Sequence, residues 1–150
     1  MGASHTHRIR VAYGDCDPSG VVFNPNYLVF YDVALTEFWR AYAGGYGAMV
    51  EEGVDLQVVE ATLRYKAPAR FDDEIDVTIG VTRLGTTSMI TSGAIHRDGT
   101  LLVELDLAYV FVDAKALTKV PIPERLRTAF AGLLTDSTAP RSCRTSTARG

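Results

Sequence analysis

The fold is decided by the stretch Asp15-Cys16-Asp17-Pro18-Ser19-Gly20-Val21-Val22-Phe23-Asn24-Pro25-Asn26-Tyr27. Residues from Arg8 to Tyr13 alternate polar and apolar as a half-buried strand does, and the Pro-Ser-Gly turn ends this strand just after Asp17. Asn24 is predicted to cap a helix that begins at Pro25, because a proline loses no hydrogen bond there. A carboxylate is therefore expected on a loop beside free helix amides, which favour negative charge. Such an arrangement suits attack on a carbonyl, since the donors stabilise the oxyanion.

One long helix and four further strands follow this stretch. Apolar residues recur at helical spacing from Leu28 to Tyr42, and a glycine-rich segment at 44–47 ends the helix. Period-two alternation predicts strands at residues 57–66, 75–82, 89–95 and 101–112, and the Asp98-Gly99 pair predicts a hairpin between the last two. A second helix closes the domain. Strands with one apolar face beside a single long helix predict an α+β fold, an antiparallel five-stranded sheet wrapped around one long central helix.

Composition limits the domain count and the function classes. The 150 residues suit one domain, and 47% hydrophobic content suffices for a core. A net charge of -3 gives no reason to expect nucleic acid as a partner, and no apolar run is long enough for a membrane span. Two cysteines, Cys16 and Cys143, form no disulfide framework, which suits a cytoplasmic protein. We expect a flexible N-terminus at 1–7, one domain at 8–134 and a disordered polar tail at 135–150.

The opening stretch resembles the 4-hydroxybenzoyl-CoA thioesterase family, whose pattern is D-x-D-x-x-G-x-V followed by a helix-opening N-Y. The matching residues are Asp15, Asp17, Gly20, Val22, Asn26 and Tyr27. A second stretch, Leu63 to Asp73, resembles the family's strand, Pro-Ala turn and acidic re-entry, so the resemblance covers residues 8–134. It implies the hotdog fold and an acyl-CoA thioesterase without metal or redox cofactor, CoA being part of the substrate. It also implies a homo-oligomer, a dimer or a tetramer, with active sites at the subunit interface.

The resemblance assigns roles to individual residues. Asp17 is the expected nucleophile or general base for water, and the backbone N–H of Asn24 is expected to hold the thioester oxygen. Residues expected to contact the substrate are Gly20, Val22, Asn26, Tyr27, Asp32, Thr86, Thr87 and Ser88. Asp32 would line the acyl pocket and accept a hydrogen bond from a polar head, and Glu37 is a reserve catalytic acid. The competing interpretations are that Asp17 only caps its turn and that Glu37 is exposed or salt-bridged.

The opening stretch looks most like the aromatic members of the family, so the expected substrate is an aromatic acyl-CoA such as 4-hydroxybenzoyl-CoA. Short-chain aliphatic acyl-CoA thioesterases share most of the pattern. Gly85-Thr86-Thr87-Ser88 stands where some aromatic-specific members carry basic residues for the nucleotide phosphates, which leaves open a thioesterase that unloads an acyl carrier protein. An alternative of a different class is a non-catalytic module that binds an acyl ligand, and the retained Asp17 and Asn24 argue against it.

Two clusters could suggest a metal, and we expect none. His5 and His7 are spaced to share one strand face, but no third ligand accompanies them, so disordered or surface histidines are the better interpretation. The acids between Asp72 and Asp76 lack the spacing of a calcium-binding loop, so we expect solvated turn and strand residues.

Overall fold

The computed structural model describes residues 4–134, and the predicted tail at 135–150 lies outside this range. The strands are β1 (His5–Arg10), β2 (Val54–Tyr65), β3 (Glu74–Leu84), β4 (Ser88–Arg97) and β5 (Thr100–Asp113). They form one antiparallel sheet in the order β1-β3-β4-β5-β2. The helices are α1 (Asn26–Tyr42), α2 (Tyr46–Glu51) and α3 (Glu124–Ala131). The predicted α+β fold, with five strands and one long helix, is confirmed. Among the helices within 4–134, each is too short or too polar to cross a membrane.

Helix α1 packs an apolar stripe against one face of the sheet. The buried residues of the stripe are Tyr27, Phe30, Tyr31, Ala34, Leu35, Phe38 and Trp39. Their spacing of three or four residues keeps them on one side of the helix. On β3, the alternate residues Ile75, Val77 and Ile79 are fully buried in the same core. The apolar residues that recur every 3.6 positions in the helix and every second position in the strands therefore pack together in one hydrophobic core.

Tyr31 reaches the sheet at a glycine. A Cβ atom on Gly93 would lie 2.5 Å from Cε2 of Tyr31, so only a residue without a side chain fits under this ring. Beyond Gly93, the Tyr31 hydroxyl and the Thr91 hydroxyl form a hydrogen bond of 2.6 Å in the core. Burial raises the pKa of Tyr31, so the pair stays neutral and satisfies two buried polar groups. This contact fixes the height of α1 above the sheet.

The first strand begins earlier than the sequence pattern predicts. Its pairing with β3 runs from His5 opposite Ile79 to Arg10 opposite Glu74, so residues 5–7, expected in a flexible start, pair with the sheet. The ring of His5 packs edge-on against Phe38 and Tyr42 of α1, and such contact with the core holds the strand end. The predicted strand from Arg8 to Tyr13 is correspondingly displaced, because Tyr13–Asp15 form a 3₁₀ turn.

Strand β2 is an edge of the sheet and carries a bulge in its middle. Val58 pairs with Tyr109 and Glu60 pairs with Ala108, so Val59 is the extra residue. Val58 and Val59 are 52% and 59% exposed, although β2 is a long strand with apolar side chains. Val29 on the neighbouring face of α1 is also exposed. Within residues 4–134, the β2 side therefore presents apolar side chains next to strand backbone that no other strand pairs with.

Candidate active site

The predicted acid lies on a short hairpin at residues 15–23. The backbone N–H of Asp17 donates to the Val21 carbonyl at 2.9 Å, and that of Phe23 donates to the Asp15 carbonyl at 2.9 Å. Gly20 closes the turn with a φ of +82°, in the left-handed region that glycine adopts without strain. The prediction that Asp17 lies at a turn is confirmed, and the hairpin leads from this carboxylate to the start of α1.

The Asp17 carboxylate uses one of its two oxygens inside the turn. Oδ1 accepts hydrogen bonds from the Ser19 backbone N–H, at 2.8 Å, and from the Ser19 hydroxyl. Within residues 4–134, Oδ2 accepts no hydrogen bond. The turn-capping interpretation of Asp17 is thus correct for Oδ1. It leaves the second oxygen of a half-buried, oriented carboxylate available to water or to a ligand.

Helix α1 begins at Asn26, and the predicted side-chain cap by Asn24 is wrong. Pro25 already has helical angles, and the first turn closes through the Asn26 N–H, which donates to the Phe23 carbonyl at 2.8 Å. The Phe23 carbonyl, and not the Asn24 side chain, thus accepts a hydrogen bond from an N–H at the start of the helix. The Asn24 carbonyl accepts a hydrogen bond from the Tyr65 hydroxyl at 3.3 Å. The backbone N–H of Asn24 donates to no acceptor within the described part of the chain, so this amide is free for a ligand oxygen.

Three predicted substrate contacts hold the hairpin in place. The Asn26 side chain donates to the Asp15 carbonyl at 2.8 Å. The Tyr27 hydroxyl accepts the Ala69 N–H at 2.9 Å, and the Ala69 carbonyl accepts the Val22 N–H at 2.9 Å. Val22 and Tyr27 are each 3% exposed. The side chains of Asn26 and Tyr27 therefore have structural roles, and direct contact of the three residues with substrate stays a prediction.

Asp32 lies at the junction of two adjoining cavities along α1. One cavity, of about 310 Å³, extends to Pro25 at the helix start, and the other, of about 200 Å³, extends to Thr36 and Tyr46. Both are bordered by Asp32, Val58 and Tyr109. Among the described residues, none donates a hydrogen bond to the Asp32 carboxylate. The structure therefore puts Asp32 in a groove with an acceptor available to a polar ligand head, and its contact with an acyl group stays a prediction.

The reserve acid Glu37 is paired. Its carboxylate accepts a hydrogen bond from Arg40 one turn along α1, and this bond lowers the pKa of Glu37. The salt-bridged alternative for Glu37 is confirmed. Glu37 does not border either of the two cavities that Asp32 joins.

The turn of Thr86, Thr87 and Ser88 is far from the acidic hairpin within one chain. Val21 of the hairpin forms a bridge with Arg70, just before β3, whereas the turn follows the other end of that strand. An eleven-residue strand spans about 35 Å. The Thr86 carbonyl accepts the Ile122 N–H at 2.9 Å, and Arg127 of α3 donates to the same turn. One chain therefore does not bring this turn and Asp17 together.

Known proteins that resemble the chain decide its family. The family model described as the thioesterase-like superfamily matches residues 11–130. The chain belongs to this superfamily. It is 32% identical over 123 residues to the acyl-CoA thioester hydrolase YbgC of Escherichia coli, covering 81% of this chain and 92% of that one. It is 26% identical over 139 residues to the 4-hydroxybenzoyl-CoA thioesterase of a Pseudomonas species, covering 82% and 94%.

A solved structure described as BH1999 gentisyl-coenzyme A thioesterase superposes with a TM-score of 0.76, at 28% identity, covering 84% of this chain and 98% of that one. With the sheet and helix described above, these matches confirm the predicted family, the hotdog fold and a hydrolase that acts on thioester bonds. The roles of individual residues stay predictions.

Sequence reasoning missed most of the residues that line the groove at Asp32, and three of them come from distant parts of the chain. Tyr46, Leu56 and Tyr109 line it beside Asp32, and they come from α2, β2 and β5. Since each lies in a different element, no local spacing brings them together. The one available signal was the position of Tyr46 directly after a glycine pair that ends α1. Within residues 4–134, no three His, Cys, Asp or Glu side chains cluster as they would around a metal ion.

Proposed function

We propose that this thioesterase hydrolyses acyl-CoA esters whose acyl group is a hydroxylated aromatic ring, with Asp17 and the Asn24 amide acting on the same carbonyl. The observation that carries the proposal is that the hairpin and the helix start that follows it each keep one polar group without a hydrogen-bond partner among the described residues. Asp17 keeps Oδ2 free at the turn of the hairpin, and the Asn24 N–H is free where the hairpin enters α1. A site that only bound acyl groups would have no need of a free carboxylate on the hairpin that leads to a free helix-start amide.

The reaction needs only water and these groups. In the general-base route, Asp17 takes a proton from water as the water oxygen bonds to the thioester carbon, and the Asn24 N–H donates to the resulting oxyanion. Collapse of the tetrahedral intermediate breaks the carbon–sulfur bond, and the thiolate leaves with the proton from Asp17. In the nucleophilic route, Asp17 bonds to the carbon, the thiolate leaves, and water hydrolyses the anhydride. Neither route uses a metal or a redox cofactor, and CoA is part of the substrate.

The aromatic acyl group is supported by the groove and by the relatives. The larger cavity is lined by Leu28, Val29, Tyr31 and Leu107, apolar or aromatic side chains that suit a flat ring, and Asp32 supplies an acceptor for a ring hydroxyl. Two of the relatives described above are named for hydroxylated aromatic substrates, 4-hydroxybenzoyl-CoA and gentisyl-coenzyme A.

A second candidate is a thioesterase that unloads an acyl carrier protein. The turn at Thr86, Thr87 and Ser88 offers hydroxyls and backbone groups but no cation of its own for nucleotide phosphates. Arg127 lies beside it and already donates to the Gly85 and Thr86 carbonyls. An acyl carrier protein presents the same pantetheine arm without an adenine nucleotide.

The active unit is a cytoplasmic homodimer or a tetramer of two dimers, with each pocket shared between chains. Strand β2 offers a free edge of 12 residues, and Val58 and Val59 stand exposed on it. Pairing with a second copy would cover this edge and the exposed Val29 of α1. A shared pocket would also let the Thr86 turn of one chain approach the hairpin of another.

Release of free thiol from a panel of thioesters tests the proposal. The panel contains 4-hydroxybenzoyl-CoA, benzoyl-CoA, butanoyl-CoA and palmitoyl-CoA, together with the pantetheine ester of 4-hydroxybenzoate. We expect the highest kcat/KM for 4-hydroxybenzoyl-CoA. Equal turnover of the pantetheine ester favours the carrier-protein alternative, and preference for butanoyl-CoA favours the aliphatic one. Binding of these esters without thiol release contradicts catalysis.

A further inference from the structure

We propose that Tyr46, held by Asp55, closes the far end of the acyl groove and sets the largest acyl group that the enzyme accepts. The inference rests on the proposed function in one respect, that the acyl group enters the groove from the helix start at Asn24. It adds a specificity-determining residue and a positioning residue to the site, both outside the motif that carries the chemistry.

The groove runs along α1 from the reacting end to Tyr46. The larger cavity begins at Pro25, next to the free Asn24 amide, and the smaller one ends at Thr36 and Tyr46. From Pro25 to Thr36 the helix rises about 16 Å, so the groove is long enough for more than a single ring. Both cavities border Asp32 and Tyr109, so they adjoin at these two side chains and follow one another along α1. An acyl group that grows longer must pass this junction and then meets Tyr46.

Tyr46 is held at both ends of its side chain. Its hydroxyl donates a hydrogen bond to Oδ1 of Asp55, the second residue of β2. The same oxygen accepts the Leu56 N–H at 2.7 Å, which fixes the carboxylate. The Tyr46 ring packs edge-on against the fully buried Trp39, with 6.0 Å between ring centroids. Tyr46 is therefore a fixed wall of the groove and not a side chain that swings aside freely.

The hydrogen bond persists at any pH at which the enzyme would work. Burial, with a further contribution from the hydrogen bond to Asp55, raises the pKa of Tyr46 to about 12. The phenol thus stays protonated and remains a donor to the carboxylate. A hydrogen bond to a charged acceptor is stronger than one between neutral groups. An acyl chain long enough to displace Tyr46 would have to break this hydrogen bond. Asp55, a half-buried carboxylate, would then keep the Leu56 N–H as its remaining donor.

The groove therefore has two parts, a region up to Asp32 that accommodates the acyl group and a closed end, the stop, at Tyr46. A ring hydroxyl that reaches Asp32 lies before the stop and gains a hydrogen-bond acceptor. An apolar acyl chain that continues beyond Asp32 enters the smaller cavity, where Tyr46 and the Thr36 hydroxyl lie beside the apolar side chains of Leu35, Leu56 and Val58. We expect kcat/KM to fall steeply once the acyl group is long enough to contact Tyr46.

The test measures kcat/KM for two series of CoA esters, linear acyl groups from butanoyl to dodecanoyl and aromatic groups from benzoyl through 2-naphthoyl to 4-phenylbenzoyl. Tyr46→Ala removes the stop, and Tyr46→Leu keeps apolar bulk against Trp39 in case the alanine variant is unstable. Asp55→Asn keeps the shape of the acceptor but removes its charge. Tyr42→Ala is the matched control, because Tyr42 packs against His5 and Phe38 and borders neither segment of the groove.

We expect Tyr46→Ala and Tyr46→Leu to raise kcat/KM for the longest member, relative to the shortest, by about tenfold or more. Asp55→Asn should shift the ratio in the same direction by a smaller factor, mainly through KM, and Tyr42→Ala should leave it within twofold. A folded Tyr46 variant with the wild-type length profile overturns the inference. The proposal of an aromatic substrate is tested separately by the wild-type enzyme. A higher kcat/KM for the linear esters than for the aromatic esters would contradict that proposal and leave the role of Tyr46 to be decided by the variants.

Discussion

The side-chain amide of Asn26 donates a hydrogen bond to the carbonyl oxygen of Asp15, with 2.8 Å between the two atoms. This bond joins the first residue of α1 to the base of the hairpin that carries Asp17. Because the helix is anchored in the core and the tip of the hairpin at 18–20 is exposed, we expect this bond to hold the acid in position relative to the helix.

Replacing Asn26 by alanine tests this coupling. Loss of one partly buried hydrogen bond should lower the free energy of unfolding by about 1 kcal/mol, or roughly 4 °C in Tm. We expect kcat to fall more than KM changes, since the hairpin would lose its alignment with the Asn24 amide. Arg40→Ala, on the exposed side of the same helix, is the control. Wild-type kcat in the Asn26 variant would show that the hairpin is held without this bond.

Gly93→Ala should destabilise the whole domain. Its Cβ would lie 2.4 Å from the Thr78 carbonyl oxygen and 2.5 Å from Cε2 of Tyr31, both closer than van der Waals contact allows. Forcing apart a packed core costs about 1–3 kcal/mol, which thermal unfolding detects. Gly47→Ala is a matched control, because nothing lies within 4 Å of its added methyl group and alanine favours the helix α2. A Tm of Gly93→Ala equal to that of the control would contradict the close approach of Tyr31.

Elements that local sequence determines could be predicted, whereas features that depend on distant residues could not. The Asp98-Gly99 pair predicts the β4–β5 hairpin, because the turn chemistry and the alternation on both sides lie within one short stretch. The early start of β1 was missed because His5 counts as polar, whereas its ring packs on aromatic residues of α1 that are distant in sequence. The free Oδ2 of Asp17 and the hydrogen bond between Tyr46 and Asp55 depend on folded geometry, so no motif encodes them.

The contribution of Asp73 to stability should disappear in acid. Burial opposes its ionisation, but hydrogen bonds from the Arg70 N–H and from Arg97 outweigh burial and lower the pKa of Asp73 below its ordinary value. A lowered folded-state pKa means that the ionised carboxylate stabilises the fold above the unfolded pKa, and that this stability is lost as pH falls through the folded value. Arg97→Gln should therefore lower the free energy of unfolding at pH 6 and have a smaller effect as pH falls through the lowered pKa of Asp73.

Urea unfolding of the wild type and Arg97→Gln across this pH range measures the difference. Arg8→Gln serves as the comparison, because Arg8 pairs with Asp76 across β1 and β3 but its side chain is 64% exposed, so its loss should matter less. If the free energies of unfolding of wild type and Arg97→Gln differ by the same amount from pH 6 to pH 3, the ion pair is not the cause of the difference.

Asp32 should discriminate between ring substituents. If its carboxylate accepts a hydrogen bond from a phenolic hydroxyl, Asp32→Ala should reduce kcat/KM for 4-hydroxybenzoyl-CoA more than for benzoyl-CoA. The expected difference is about 1–3 kcal/mol, which corresponds to roughly 5-fold to 150-fold. Asp32→Asn retains an acceptor oxygen and should lose less. Equal losses on the two esters would remove Asp32 from recognition.

Asp17→Asn should keep the fold and lose the reaction. The asparagine oxygen can accept the Ser19 hydrogen bonds that Oδ1 accepts now, so the turn and the hairpin should remain and Tm should change little. The amide group that replaces Oδ2 is neither a base nor a nucleophile. We expect kcat to fall by at least ~10²-fold while KM changes only a few-fold, because the groove and the Asn24 amide are untouched. Ser19→Ala is the matched control, since it removes one donor to Oδ1 and leaves the carboxylate, and it should retain activity within a few-fold. If folded Asp17→Asn turns over at a rate close to wild type, Asp17 only caps its turn, and Glu37→Gln becomes the next variant to measure.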